Sequence, residues 1–134
     1  KMTSGSISAG WTAYSFDDTT WSEATLGSDI PSVSGVQYFR KQFVGLANMA
    51  AYDVRLKYKA GVIAYINGVE VYRDNLPEGD VTPTTMALGE YQSAAYRGFI
   101  RPGFEVASLQ SILAGEVHFT EATLLLISTL IWLF

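Results

Sequence analysis

Residues 52–59 show the clearest alternation of apolar and charged positions in the chain. Apolar side chains occupy every second position from Tyr52 to Tyr58, and charged side chains occupy the positions between them, from Asp53 to Lys59. A β-strand presents alternate residues to opposite faces, whereas a helix would scatter these charges around its circumference. The pattern predicts a strand with one face on a core and the other toward solvent.

A second β signal follows in residues 61–73. Two runs rich in Val, Ile and Tyr flank Asn67 and Gly68. This dipeptide tolerates the positive φ angles of a two-residue type I′ turn better than most others. The segment therefore predicts a β-hairpin.

The other β-like runs are short and are separated by turn-forming residues, and no segment shows a sustained helical period with caps. They cover residues 36–44, 96–100, 111–119 and 124–134. The Gly-, Ser- and Pro-rich stretch from Leu26 to Gly35 predicts a long loop. This spacing predicts an all-β fold, an antiparallel sandwich of about eight strands in two sheets.

Length and composition indicate one domain. The chain has 134 residues, enough for one domain with one substantial core, which we assign to residues 11–134. We interpret residues 1–10 as either a leader or a first strand. The net charge of −4 argues against nucleic-acid binding, which needs a basic face. The longest apolar run falls short of the about 20 residues that a transmembrane helix requires, so we expect no membrane span.

The residues available for catalysis are few. The chain has no cysteine and a single histidine, His118, so thiolate chemistry is excluded and a catalytic triad would depend on one residue. Glu116 and His118 lie two apart in a predicted strand and therefore face the same side. We expect them to form a polar pair with Arg73 or Asn75 that ties sheet to loop, and we expect no enzymatic activity.

Four segments carry a family resemblance. Phe16 to Trp21 reads F-D-D-T-T-W, Tyr38 to Phe43 reads Y-F-R-K-Q-F, and Ser111 to His118 reads S-I-L-A-G-E-V-H; the hairpin block runs from Gly61 to Pro77. In this order they resemble blocks of the galactose-binding-domain-like jelly-roll modules, across most of residues 11–122. The resemblance implies an antiparallel jelly-roll sandwich of the extracellular or cell-surface type. It does not by itself imply that a sugar is bound.

The chain departs from the family pattern at three places, one of which is the tail, residues 123–134, where the polar positions expected in a closing strand are lacking. Lys59 and Ala60 stand where the family usually has an acidic pair, and Gly115 replaces a β-branched core residue. We expect Gly115 to weaken its strand through lost packing.

Carbohydrate binding would require aromatic rings for stacking beside polar hydrogen-bonding groups. Such residues cluster in and after the second strand of the hairpin. The candidates are Tyr72, Arg73, Asp74, Asn75 and Tyr91. The alternative interpretation is that these tyrosines only decorate a sheet surface.

Asp17 and Asp18 admit two interpretations. Clustered carboxylates in a loop are typical of calcium sites. They are also typical of an Asx turn, here ahead of Trp21, whose ring we expect to enter the core. The turn accounts for both residues without a cofactor, so we favour it and keep calcium as the alternative.

The last segment of the chain, residues 124–134, is almost wholly apolar. In a two-layer sandwich only one face of a strand meets the core, so a strand that is apolar on both faces requires further cover. Another subunit would provide that cover. The candidate interface residues are Leu124, Leu126, Leu130, Trp132 and Phe134.

Low charge, the apolar last segment and the lack of catalytic residues together predict a structural or adhesive module. We expect it to be extracellular or on the cell surface and to associate with like modules as an oligomer or filament. The alternative is a carbohydrate-binding module that targets a larger protein to glycans. Neither function requires a cofactor.

Overall fold

The computed structural model describes residues 1–24, 29–30, 35–45, 51–93, 95–102, 110–119, 125–126 and 128–133. Within these ranges the regular structure consists of strands. The strands are β1 (Met2–Ser4), β2 (Asp29–Ile30), β3 (Val36–Val44), β4 (Ala51–Tyr58), β5 (Gly61–Ile66), β6 (Val69–Asp74), β7 (Ala95–Pro102), β8 (Gln110–His118), β9 (Leu125–Leu126) and β10 (Ser128–Leu133).

The strands form two main sheets, and all neighbours are antiparallel. The larger sheet has the order β1-β3-β8-β5-β6, the smaller sheet has the order β10-β4-β7, and β2 pairs with β9. The all-β sandwich predicted from the sequence is confirmed. The described ranges hold no helix that is long and apolar enough to cross a membrane.

The predicted hairpin is present as β5 and β6. Its turn residues have the positive φ angles that a type I′ turn requires, 48° at Asn67 and 86° at Gly68. The register shifts between Ala64 and Tyr65, which marks a β-bulge in this pair. Tyr65, beside the bulge, lines the cleft described below.

The main core lies between the two sheets. Four alternate side chains of β4 are each 1% exposed and pack in one cluster with residues of the larger sheet, including Val62 and Leu113; they are Tyr52, Val54, Leu56 and Tyr58. Burying an aliphatic or aromatic side chain stabilises a fold by about 1.5–3 kcal/mol. The strand predicted at Tyr52 to Lys59 is thus confirmed as the central strand of the smaller sheet.

The charged face of β4 is only partly solvated. Arg55 is exposed, whereas Asp53 is buried, with 5% of its surface exposed. The two side chains form a salt bridge in which Arg55 Nη2 lies 2.9 Å from Asp53 Oδ2. A residue pair two apart on a strand shares a face, so this salt bridge runs along the outer surface of the sheet. The expectation of a wholly solvated charged face is therefore wrong at Asp53.

The outer face of the larger sheet carries a second apolar cluster. Trp21, Val36 and Tyr38 form its buried part, and Trp11 and Phe16 pack against it from the N-terminal segment. This arrangement places the Trp21 ring in a core, as the sequence predicts. The segment before β2 therefore covers part of the sheet instead of extending into solvent.

Arg40 fixes this N-terminal segment to the sheet. Its side chain is almost fully buried; it donates to Asp18 Oδ2 at 2.8 Å, to the carbonyl of Ala13 at 2.9 Å and to the carbonyls of Trp11 and Phe16. A buried guanidinium needs such a set of acceptors because its desolvation is costly.

The two aspartates have structural roles of their own. Asp17 Oδ1 accepts the backbone N–H of Thr19 at 3.0 Å, which is an Asx turn, and Asp18 binds Arg40. The N–H of Trp21 donates to the Asp18 carbonyl at 3.0 Å. The turn interpretation therefore accounts for both carboxylates.

Gly115 does not leave a packing defect. Phe39 lies directly opposite it in the β3–β8 pair, and a Cβ atom at position 115 would overlap the Phe39 ring. The ring covers the glycine from the neighbouring strand, a pairing known to stabilise glycine in sheets. The expected loss of packing at Gly115 was wrong because the aromatic partner fills the space.

Two further expectations fall partly outside the described residues. The predicted loop from Leu26 to Gly35 contains the short strand β2, which pairs with β9, so it is not wholly irregular. Leu124 and Phe134 lie outside the described residues. Leu126 belongs to β9, and residues 128–133 form an edge strand beside β4.

We predict that Gly115→Ala destabilises the fold by about 1–3 kcal/mol, because overpacking forces the Phe39 ring or the backbone to move. Chemical denaturation measures the change. In Phe39→Leu the same substitution should cost less, since the double mutant relieves the overlap. Gly89→Ala is the control, because a Cβ there meets no atom within 4 Å. Equal costs for Gly115→Ala in both backgrounds would contradict the account.

Candidate binding cleft and tyrosine cluster

A cleft of about 430 Å³ opens on the outer face of the larger sheet. That volume is within the range of sites for small organic ligands. Its floor is formed by Tyr38, Tyr65 and Glu116. Its walls are the N-terminal segment at Ile7 and Trp11, strand β6 at Glu70 and Arg73, and the loop at residues 80–83.

Strand register explains why these floor residues meet. Tyr38 of β3 lies opposite Glu116 of β8, and Tyr65 of β5 lies opposite Ala114, two positions before Glu116. Directly opposed residues share one face of a sheet, and so do residues two apart on a strand. The three side chains therefore project to the same outer surface.

Trp11 lies against the two tyrosine rings. Its ring centroid is 5.0 Å from that of Tyr38 and 5.6 Å from that of Tyr65, and both contacts are edge-to-face. Such pairs are favourable because the positive edge of one ring meets the negative face of the other. Trp11 stays half-buried, so it is held in place and still borders the cleft.

The hydroxyls of the floor lie close to a buried carboxylate. Tyr65 donates to Glu116 Oε1 at 2.9 Å, and burial, followed by the nearby Glu116 charge, raises the pKa of Tyr65 above its ordinary value. Burial and the same carboxylate also raise the pKa of Tyr38. Tyr38 is 2% exposed, and its hydroxyl has no hydrogen-bond partner within the described part of the chain.

Arg73 forms one wall together with Glu70. Its Nε and Nη2 donate to the two Glu70 carboxylate oxygens at 2.9 and 2.8 Å, and its Nη1 donates to the carbonyls of Pro77 and Gly79. The guanidinium lowers the pKa of Glu70, because its hydrogen bonds favour the ionised carboxylate. Arg73 thus orients both the carboxylate and the loop after β6.

His118 ties β8 to the loop that follows β6. Its side chain is fully buried, and Nδ1 lies 2.7 Å from the carbonyl oxygen of Thr85. A carbonyl can only accept, so Nδ1 is the protonated nitrogen in this contact. Nε2 lies 3.5 Å from Glu116 Oε2. The pair joins sheet to loop as expected, but through Thr85 instead of Arg73 or Asn75.

A second polar group of side chains, the tyrosine cluster, lies inside the sandwich at one end. It consists of Tyr58, Tyr72, Asp74 and Tyr91. The Asp74 carboxylate accepts hydrogen bonds from Tyr58 and from Tyr91, the latter at 2.8 Å, and the hydroxyls of Tyr58 and Tyr72 are 2.6 Å apart. The Arg97 guanidinium stacks on the Tyr91 ring, 3.6 Å from its centroid. The cluster satisfies a carboxylate that would otherwise be costly to bury.

The structure separates the five ligand candidates that the sequence suggests. Tyr72, Asp74 and Tyr91 belong to the tyrosine cluster, whereas Arg73 lies in the cleft. Strand alternation is the reason, because position 73 faces the side opposite to positions 72 and 74. Asn75 has a φ of 55° and donates to the Gly89 carbonyl at 2.7 Å, which fits a turn residue.

Sequence reasoning missed most of the cleft. Trp11, Tyr38, Tyr65, Glu70 and Asp80 were not among the candidates. Tyr65 and Glu70 could have been found, because they lie on either side of the predicted hairpin turn. The contribution of the N-terminal segment had no such signal, because only tertiary packing brings it to the sheet.

Metal binding finds no support in the geometry. Across the described ranges, no group of three or more His, Asp or Glu side chains is arranged to hold a metal ion. Asp17 and Asp18, the calcium candidates, each have a protein partner instead.

Comparison with known proteins adds no relative. Protein-family models, curated proteins and solved structures were all compared with the chain, and none matches it. The resemblance to galactose-binding-domain-like modules therefore remains a prediction from sequence.

We predict that the fold loses stability as the pH rises above about 10, the ordinary tyrosine pKa. Burial raises the pKa of Tyr58 and Tyr65, so both stay protonated in the folded chain at a pH where they ionise once unfolded. Their stabilising contribution is complete below pH 10 and is lost above it, at up to about 1.4 kcal/mol per pH unit for each group.

Urea denaturation at pH 9 to 11 measures this dependence. Tyr58→Phe removes one of the two groups, so its free energy of unfolding should fall less steeply with pH than that of the parent chain. A parent profile that stays flat over this range would contradict the prediction.

Proposed function

We propose that this chain is a non-enzymatic, extracellular jelly-roll module that binds a carbohydrate in the cleft. The observation that carries the proposal is the half-buried Trp11 ring, fixed by two tyrosines beside the polar side chains of Glu70, Arg73 and Glu116. This is the alternative function that the sequence suggests, but of the five predicted ligand residues only Arg73 lines the cleft.

The chemistry of the cleft suits a sugar ring. Sugars present an apolar C–H face that stacks on aromatic rings and a rim of hydroxyls that bind carboxylates and guanidinium groups. The Glu70–Arg73 pair offers acceptors and donors side by side, already held in place by the loop carbonyls. Such preorganisation lowers the entropic cost of binding.

The state of His118 supports a binding role over a catalytic one. Its ring is fully buried, with one nitrogen bound to the Thr85 carbonyl and the other facing Glu116. A general base must reach the proton that it removes from a substrate. His118 has no such access from the cleft, so we assign it a structural role.

Self-assembly, the first function that the sequence suggests, is a second candidate with its own support. Tyr96 and Ile100 are exposed on the outer face of the smaller sheet, and β7 and β10 form its two edges. Leu130 and Trp132 of β10 occupy register positions opposite Arg55 and Asp53. We propose a second copy of this chain as the partner, since an edge strand can pair with its own copy.

We predict that Trp11→Ala weakens glycan binding by about tenfold or more, equivalent to about 1.4 kcal/mol. The loss follows from removal of the stacking surface. A glycan array identifies a bound sugar, and isothermal titration measures its affinity. Tyr14→Ala is the matched control, because it removes an exposed ring from the same segment outside the cleft. Unchanged affinity in a folded Trp11→Ala chain would contradict the placement of the site.

For self-assembly, we predict that Ile100→Asp abolishes association, because it places a charge in an apolar contact. Sedimentation velocity at micromolar concentration measures the effect. Leu88→Asp serves as the control, since Leu88 is similarly exposed but lies in the loop after β6. A parent chain that sediments as a monomer would refute this second function and leave glycan binding untouched.

A further inference from the structure

We propose that the cleft selects a carbohydrate that carries a protonated amine, and that Glu116 and Tyr38 recognise the ammonium group. This inference rests on the proposed carbohydrate function and names the ligand class for the same site. It follows from three features of the cleft: its charge, its unused hydrogen-bonding atoms and its aromatic lining.

The ionised side chains that line the cleft leave a negative excess. Glu70 is neutralised by Arg73 through two short hydrogen bonds. Two further carboxylates, those of Asp80 and Glu116, line the same cleft, and Asp80 has no ion-pair or hydrogen-bond partner within the described ranges. A cationic ligand would balance this charge.

Two other basic side chains, Arg40 and His118, lie near the floor. Arg40, two positions after Tyr38 on the same face, is bound to Asp18 and to carbonyls of the N-terminal segment. His118 gives its Nδ1 proton to Thr85, and its Nε2 is 3.5 Å from Glu116 Oε2, beyond normal hydrogen-bond distance. Neither Arg40 nor His118 donates a hydrogen bond to Glu116 Oε2.

The floor therefore holds two polar atoms with unused capacity. Glu116 is 7% exposed and lines the cleft; its Oε1 accepts from Tyr65, while Oε2 accepts no hydrogen bond within the described part of the chain. The Tyr38 hydroxyl, on the residue opposite Glu116, also has no partner there. Both atoms belong to residues that line the cleft, and both can accept a hydrogen bond from a ligand donor. An ammonium group has three donors.

The aromatic lining favours the same ligand. Cations are attracted to the electron-rich faces of Trp and Tyr, most strongly where water is excluded. A carboxylate inside an aromatic pocket attracts a cation more strongly than one in water, because screening is weaker there. By the same reasoning an acidic sugar would be repelled. The arrangement thus separates amino sugars from both neutral and acidic ones.

The test compares two oligosaccharides of equal length on the full chain. A trimer of glucosamine carries free amines, and the trimer of N-acetylglucosamine has the same backbone with the amines blocked. Isothermal titration at low salt should give an affinity at least about tenfold higher for the free-amine trimer. Added salt should reduce that difference, because screening weakens charge attraction.

Two variants locate the effect. Glu116→Gln keeps a hydrogen-bond acceptor for Tyr65 but removes the charge, so it should abolish the preference for the free amine. Tyr38→Phe removes only the unpartnered hydroxyl and should reduce the preference. Glu23→Gln is the matched control, because its carboxylate is exposed on the N-terminal segment outside the cleft. Thermal unfolding confirms that each variant is folded.

The outcomes separate this inference from the function beneath it. Equal binding of both trimers overturns the amine selectivity, and a preference that survives in folded Glu116→Gln overturns the role of Glu116 in it. Either result leaves a carbohydrate site. Binding of neither trimer, together with no hit on a glycan array, overturns the carbohydrate function itself. A free-amine preference that Glu116→Gln abolishes and Glu23→Gln retains supports both.

Discussion

The pairing of β3 with β8 is the constraint on which the core and the cleft both depend. One register places Phe39 over Gly115 on the inner face and Tyr38 opposite Glu116 on the outer face. Because strand side chains alternate, a slip of one residue would exchange the two faces and put the carboxylate into the core. The Phe39–Gly115 contact therefore favours this register of β3 and β8, because the Phe39 ring occupies the space that a side chain at position 115 would fill.

Arg40 extends this constraint to the N-terminal segment. Its guanidinium lies on the outer face of β3 and binds the carbonyls and Asp18 that shape the turn before Trp21. The same segment supplies Trp11 to the cleft. Hydrogen bonds from a buried cation are directional, so they set the position of the segment, and loss of an acceptor would leave a buried charge without compensation. The cleft wall is thus held by an interaction that does not itself face the ligand.

Local patterns in the sequence were sufficient to predict individual strands but insufficient to predict the site. Alternation identified β4, and the positive-φ dipeptide at Asn67 identified the hairpin, because both signals act within a few residues. The cleft combines four distant segments, and their order in the sheet is set by pairing that no short pattern encodes. The packing at Gly115 could not be predicted for the same reason, because the space beside it is filled by Phe39 of a different strand. Trp11 and Asp80 were missed for this reason.

The two proposed functions use opposite surfaces of the sandwich. The cleft lies on the outer face of the larger sheet, whereas Tyr96 and Ile100 lie on the outer face of the smaller one. The core between the sheets separates them, so a second copy on the smaller sheet would leave the cleft open. Assembly would then place several cleft copies on one particle, and linked weak sites gain avidity without any new contact. A module whose cleft binds weakly gains most from such an arrangement, so the two proposed functions would reinforce each other.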